Sequence, residues 1–191
     1  MEKYLQQKTS NCLKVVLFGP ESTGKSHLSC FLASHYKTVF VEEYAREYLQ
    51  KKWDKENKVC ALEDIIPIAK GQIKNENLMA GKAKKILFCD TDLLTTATYS
   101  RLYFNGYCHP MLEMFSRKNF YDLYLLMNVD IEWKKDDLRD RPNDRMNFFH
   151  AFENALIDNK KKYVVISGNF KKRKQTCIKI IDNFLNLHNS K

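Results

Sequence analysis

The chain has 191 residues, of which 44% are hydrophobic and 13% aromatic, and it carries a net charge of +9. Such a length and apolar share suit one domain with a real core and exclude a disordered chain. No apolar run approaches the ~18–20 residues of a membrane span.

The opening stretch, MEKYLQQKTS, lacks the apolar core of a secretory leader, so a cytoplasmic location is expected. Residues 1–12 read as a short extension ahead of a single domain that fills the chain. The six cysteines, Cys12, Cys30, Cys60, Cys89, Cys108 and Cys177, form no C-x-x-C pair and no zinc spacing. They read as reduced structural thiols. Positive charge concentrates at 160–162 and in KKRK at 171–174. With no helix-turn-helix, zinc finger or aromatic RNA-binding pattern beside it, this reads as a solvated face, and nucleic acid is not an expected partner.

Residues 13–18, LKVVLF, predict a buried strand. It runs into GPESTGKS at 19–26, where Gly19, Gly24, Lys25 and Ser26 satisfy G-x-x-x-x-G-K-[ST]. In that pattern glycines let backbone N–H groups wrap a phosphate, and the following helix, expected over 25–35, adds its N-terminal partial charge. Lys25 is expected to reach the β- and γ-phosphates of ATP and Ser26 to coordinate Mg²⁺. Glu21, Ser22, Thr23 and His27 complete the expected nucleotide contact.

A second strand is expected over 38–42 (TVFVE), leading into the helical stretch EYAREYLQKKW. A long helix is expected from 62 to 82. A third strand, KILFCD over 85–90, ends on Asp90, which suits a carboxylate placed beside the loop as a second Mg²⁺ partner. Asp92 reads equally as a helix N-cap or a ligand. Helices over 92–104 and 109–117 follow, then a fourth strand over 121–128. The run KKDDLRDRPNDR carries Arg139, Arg141 and Arg145 and predicts a lid over about 132–146. Its planar guanidinium groups suit the spread charge of a transferring phosphoryl group. A helix over 146–159, a fifth strand over 163–167 and a last helix over 172–187 complete the chain. The loop after the fifth strand, SGNFK, is expected to border the adenine.

Strands alternating with helices predict a three-layer α/β/α fold with a parallel five-stranded sheet. No N-K-x-D motif is present, and the third strand ends in CDTD rather than Asp-Glu. Phosphoryl transfer to a small molecule is therefore favoured over a switch or motor. Such transfer needs a carboxylate to take the acceptor's proton. Glu43, Asp90 and Asp92 are the candidates, with Glu43 favoured at the end of the second strand. Arg46 lies one helical turn on from Glu43 and faces the same way.

The motifs GPESTGKS, EEYAREY, IAKGQ, LFCDTDLLTT, YDLYLLMNVDIEW, LRDRPNDR and YVVISG, in this order from about residue 13 onward, resemble the ribosylnicotinamide kinase domain of NadR-type NAD-salvage proteins. The resemblance implies a P-loop kinase fold and ATP-dependent phosphorylation of nicotinamide riboside at its 5′-hydroxyl, giving nicotinamide mononucleotide. By position it assigns Gly24, Lys25 and Ser26 to ATP and Mg²⁺, Glu43 and Arg46 to the EYARE element, and Asp90 and Asp92 to the DTD element. Arg139 and Arg145 match its lid. A pyridinium acceptor calls for aromatic faces and carboxylates, and Tyr44, Tyr48, Tyr99, Tyr103 and Trp133 lie in the segments expected near it. Tyr99 stands where the family pattern has tryptophan. No H-x-G-H nucleotidyltransferase motif occurs in these residues, so adenylylation is not expected of them. A kinase for another nucleoside, or a nucleotide-dependent ATPase or binding protein, is the alternative.

Overall fold

A computed structural model of the chain describes residues 2–189. Five strands, β1 (Leu13–Phe18), β2 (Phe40–Val41), β3 (Ile86–Asp90), β4 (Leu123–Met127) and β5 (Tyr163–Ile166), form one sheet in the order β2-β3-β1-β4-β5, with every neighbouring pair parallel. Seven α-helices connect and flank them: α1 (Lys25–His35), α2 (Tyr44–Glu56), α3 (Ile65–Ala80), α4 (Leu93–Tyr103), α5 (Pro110–Lys118), α6 (Arg145–Asp158) and α7 (Phe170–Asn189). This is the expected three-layer architecture.

The central strands are apolar almost throughout because both faces of the sheet are covered. On one face Val15, Leu17, Phe88 and Leu125 pack against Leu28 and Leu32 of α1 and Cys177 and Ile181 of α7. On the other, Val16, Phe18, Leu87 and Leu126 meet Leu94 of α4 and Phe148, Phe152 and Leu156 of α6. A third cluster joins α3, α4 and α5 through Ile73, Leu93, Ala97 and Leu112, with Leu5 from an N-terminal 3₁₀ turn inserted into it.

The second strand is shorter than TVFVE predicts. Thr38 donates its N–H to Ala33 O at the end of α1 (2.9 Å) and its hydroxyl to Ile86 O (2.7 Å), so ladder pairing starts only at Phe40.

Beneath α3 the sheet carries a polar cluster that the pattern LKVVLF does not announce. Glu76, fully buried, accepts from Lys14 Nζ (3.0 Å) and Gln7 Nε2 (2.7 Å) on one oxygen and from Tyr121 OH (2.7 Å) on the other. One carboxylate thus ties the N-terminal segment, β1, α3 and the approach to β4. Glu76→Ala would leave the Lys14 ammonium buried without a counter-charge, so urea unfolding is expected to show a loss of ~3–5 kcal/mol.

Leu17 of β1 lies opposite Asp90 of β3, so both strands end side by side. The connection from β1 runs toward β2 at one edge, and that from β3 crosses to β4 on the other side. Exits that diverge in this way leave a crevice at the carboxyl ends of the strands, where ligands bind in open α/β sheets.

Candidate active site

The residues after β1 fold into a cradle. Gly19 (φ +130°), Ser22 (φ +55°) and Gly24 (φ +80°) take positive φ angles that turn the chain tightly. Gly24 is also the N-cap of α1, with no side-chain hydrogen bond closing that helix end. An added Cβ there meets only Ile131 Cδ1, at 3.5 Å, so the glycine is required by its left-handed conformation rather than by space. Thr23 donates its hydroxyl to Pro20 O at 2.8 Å. Lys25, buried, donates its ammonium to Gly19 O (2.9 Å) and Pro20 O (2.7 Å), drawing the two ends of the loop together. Backbone amides at a helix N-terminus with an ammonium beside them make a binding site for phosphate.

Asp90 stands next to this cradle, 1% exposed, and one of its oxygens, Oδ1, has no hydrogen-bond partner. Burial, reinforced by the neighbouring charge of Glu43, pushes its pKa up to about 7; Lys25, the Ser26 hydroxyl and Arg46 act in the opposite direction. An unsatisfied buried carboxylate oxygen beside a serine hydroxyl fits Mg²⁺, which binds through one or two protein oxygens together with phosphates and water. Among the described residues no cluster of three or more His, Cys, Asp or Glu could hold a metal by itself.

Thr91, between the two aspartates, has φ +74°, a strained conformation for a β-branched residue. Its N–H reaches Leu17 O (3.3 Å), which holds the turn against β1. Asp92 then faces inward. It caps α4 by accepting from Thr95 N (2.8 Å) and Thr95 Oγ1 (3.0 Å), and its second oxygen accepts from Tyr124 OH (2.8 Å). Burial pushes its pKa up to about 6 against these hydrogen bonds. Of the two readings open for Asp92, the cap is the one the geometry displays, since three internal donors occupy its oxygens.

A cavity of about 460 Å³ extends from Ser22–His27 into a recess between α2, α3 and α4. Glu43, the N-cap residue of α2, and Arg46 stand where the cradle meets the recess. Tyr99 lines it too, its ring packed edge-on against Phe152 at 5.0 Å. Elsewhere the wall is apolar, with Leu49, Val59, Ile65, Ile68 and Phe104. Tyr44 is not part of this wall. Its ring lies over α3 where the Cβ of Gly71 would stand (2.0 Å), and its N–H donates to Gln72 Oε1 at 2.9 Å. Tyr48 turns away as well, donating to Asp64 (3.1 Å).

The segment between β4 and α6 lies across the cavity. Trp133 donates its indole N–H to Glu21 Oε1 (3.2 Å), and Lys134 N donates to Ser22 Oγ (2.8 Å), so Trp133 is engaged with the loop rather than with the recess. Burial raises the pKa of Glu21, opposed by the Trp133 indole and the Arg141 N–H. On the opposite side Arg46 pairs with Asp136 (2.8 Å), whose other oxygen accepts from the N–H groups of Leu138 and Arg139 (both 3.1 Å). Tyr103 donates to Asp140 (2.6 Å). Arg139 lines the cavity. Arg145 does not: its guanidinium donates to Ile131 O (2.7 Å) and Ser22 O (3.3 Å), along the outside of the loop.

Sequence patterning left several of these residues out. The apolar wall at Leu49 and Val59 falls in a polar helix and the loop after it, and gives no periodic signal. Arg173, within the KKRK run read as solvated, is 1% exposed. Only the switch from Lys to Arg at that position hinted at a different role.

The comparisons extend this geometry. The family model for the AAA domain matches residues 14–173. The trifunctional NAD biosynthesis/regulator protein NadR of Salmonella typhimurium is 27% identical over 174 residues, 90% of this chain and 42% of that protein. Its Escherichia coli counterpart is 28% identical over 170 residues, 87% of this chain and 41% of that protein. The chain thus spans about two-fifths of the length of these relatives. Among solved structures, NadR protein in complex with NR superposes with a TM-score of 0.71 at 23% identity, over 91% of this chain and 51% of that one. Thymidylate kinase from Ehrlichia chaffeensis does so with 0.61 at 16% identity, over 90% and 99%. These likenesses show a P-loop kinase fold. With its matched region running from β1 to the start of α7, the chain belongs to the AAA domain family and is similar, through most of its length, to part of the NadR proteins.

Proposed function

We propose that this protein is an ATP-dependent kinase that phosphorylates the 5′-hydroxyl of nicotinamide riboside to give nicotinamide mononucleotide and ADP. The observation that carries the reading is the single cavity joining the phosphate cradle at Ser22–His27 to a recess with Glu43, Arg46 and Tyr99 at its entrance. The similarity to NadR proteins, one of them solved with NR, supports this choice of acceptor.

In this scheme the loop amides and Lys25 hold the β- and γ-phosphates, and Ser26 and Asp90 would hold Mg²⁺. The metal supplies neutralising charge on the phosphate oxygens when bound. Glu43 accepts the proton of the sugar hydroxyl as that oxygen bonds to the γ-phosphorus. The bond from phosphorus to the β–γ bridging oxygen breaks, and ADP leaves with the electron pair. Glu43 is favoured over Asp90 as base because it faces the cavity, whereas Asp90 sits below the loop; Asp92 is enclosed by its own donors. Arg46 and Arg139 stabilise charge spreading over the transferring group, while Tyr99 offers an aromatic face to the pyridinium.

The test is a panel of nucleosides assayed by ADP release. Nicotinamide riboside is expected to exceed purine and pyrimidine nucleosides in kcat/KM by at least about tenfold, a difference worth ~1.4 kcal/mol in the transition state. Another nucleoside leading the panel would reassign the acceptor. ATP consumption indifferent to any nucleoside would make the protein an ATPase.

A further inference from the structure

Arg173 is the first turn's inward residue on α7, and its guanidinium is spent on the ends of three separate segments. Nε donates to Gly168 O after β5 (2.7 Å), Nη2 to Asn128 O after β4 (2.9 Å), and Nη1 to Thr23 O inside the phosphate loop (2.6 Å). Nη2 also pairs with the Asp130 carboxylate, which in turn accepts from Gly168 N (2.6 Å). A planar, rigid fork of five donors can satisfy such a set; a lysine ammonium cannot.

The contact with Thr23 has a consequence for the loop. A trans peptide is planar, with its C=O and N–H pointing in opposite directions. With the Thr23 carbonyl held by Arg173, the N–H of Gly24 in the same peptide is directed away from α7, toward the cavity that Thr23 and Gly24 line. Arg145 acts on the preceding unit in the same manner, since its bond to Ser22 O directs the N–H of Thr23. The two guanidiniums are close enough for Arg173, after burial, to lower the pKa of Arg145. Gly24 carries no side chain that could hold this peptide, and the donor to its carbonyl comes from α7.

We infer that Arg173 is a positioning residue for the nucleotide: it sets the Thr23–Gly24 peptide so that the loop presents N–H groups to phosphate before the ligand arrives. This rests on the reading of the loop as a triphosphate site. It makes a buried arginine of α7, rather than a residue of the loop, responsible for part of the affinity. Arg145 takes the companion role in place of the transition-state contact expected of it.

The experiment is calorimetric titration of the full chain with Mg²⁺ and a non-hydrolysable ATP analogue, for wild type, Arg173→Lys and Arg173→Gln, alongside thermal melts without ligand. Arg173→Lys is expected to weaken the nucleotide at least tenfold while nicotinamide riboside affinity, measured separately, stays within twofold. A purely architectural role would lower the melting temperature and leave the nucleotide dissociation constant of the folded protein unchanged. That result would overturn the inference. So would a failure of both variants to fold. Wild type that binds no nucleotide would instead remove the functional reading beneath it, so the two failures are distinguishable.

Discussion

Lys25→Ala is expected to reduce phosphoryl transfer by about a hundredfold to a thousandfold, in the range seen when a preorganised charge-stabilising group at a transition state is removed, with little change in melting temperature. The ammonium is buried and its hydrogen-bond partners are two main-chain carbonyls, those of Gly19 and Pro20. Removing it gives up two hydrogen bonds, worth about 1 kcal/mol each in the ordinary case, but also removes a desolvated charge, and these terms oppose one another. Stability therefore moves little. Function has no such compensation, because the charge that would meet the β- and γ-phosphates is gone. Asp90 also loses a favourable neighbour, so its pKa is expected to rise further, which disfavours the carboxylate form that would hold Mg²⁺. ADP release and a thermal melt on the same preparation check both halves. Retained turnover would move the phosphate site elsewhere.

Glu43→Gln should lower kcat by about 10²–10⁴-fold, the usual contribution of a positioned general base, while nucleotide affinity changes by no more than about twofold. The substitution keeps the shape of the side chain at the start of α2 and removes its capacity to take a proton. It also removes the negative charge that raises the Asp90 pKa, so any residual effect on Mg²⁺ should be toward tighter binding. Single-turnover kinetics with nicotinamide riboside, alongside a nucleotide titration, separate the two effects. An unchanged kcat would assign the proton to Asp90.

Much of this arrangement is legible in the chain itself because it is local. Strand β1, the cradle and α1 occupy 23 consecutive positions, Leu13 to His35, and an apolar run, a glycine pattern and a helical period each announce their own piece. Asp90 is readable for the same reason, as the polar end of the apolar strand ILFCD. What is not legible is pairing across distance. Arg46 meets Asp136, Trp133 meets Glu21, and Arg173 meets Thr23, and no periodicity links such positions. The Lys14–Glu76 pair is hidden in the same way, each partner looking like a misplaced charge until the other is beside it. Asp92 shows the converse: its sequence context allows two roles, and it takes Thr95 on one oxygen and Tyr124, from β4 on the far side of β1, on the other to separate them.

The fit of Tyr44 over Gly71 carries a consequence for how the acceptor recess could be altered. The ring occupies the place of a missing methyl group on α3, and the residue before it is Glu43. The close approach of α2 to α3 beside the recess thus depends on the absence of a side chain at position 71, which does not line the cavity. Broader or narrower acceptor preference can arise in such a scaffold by drift at position 71 alone, with every wall residue unaltered, and a search for specificity determinants confined to the pocket lining would pass over it.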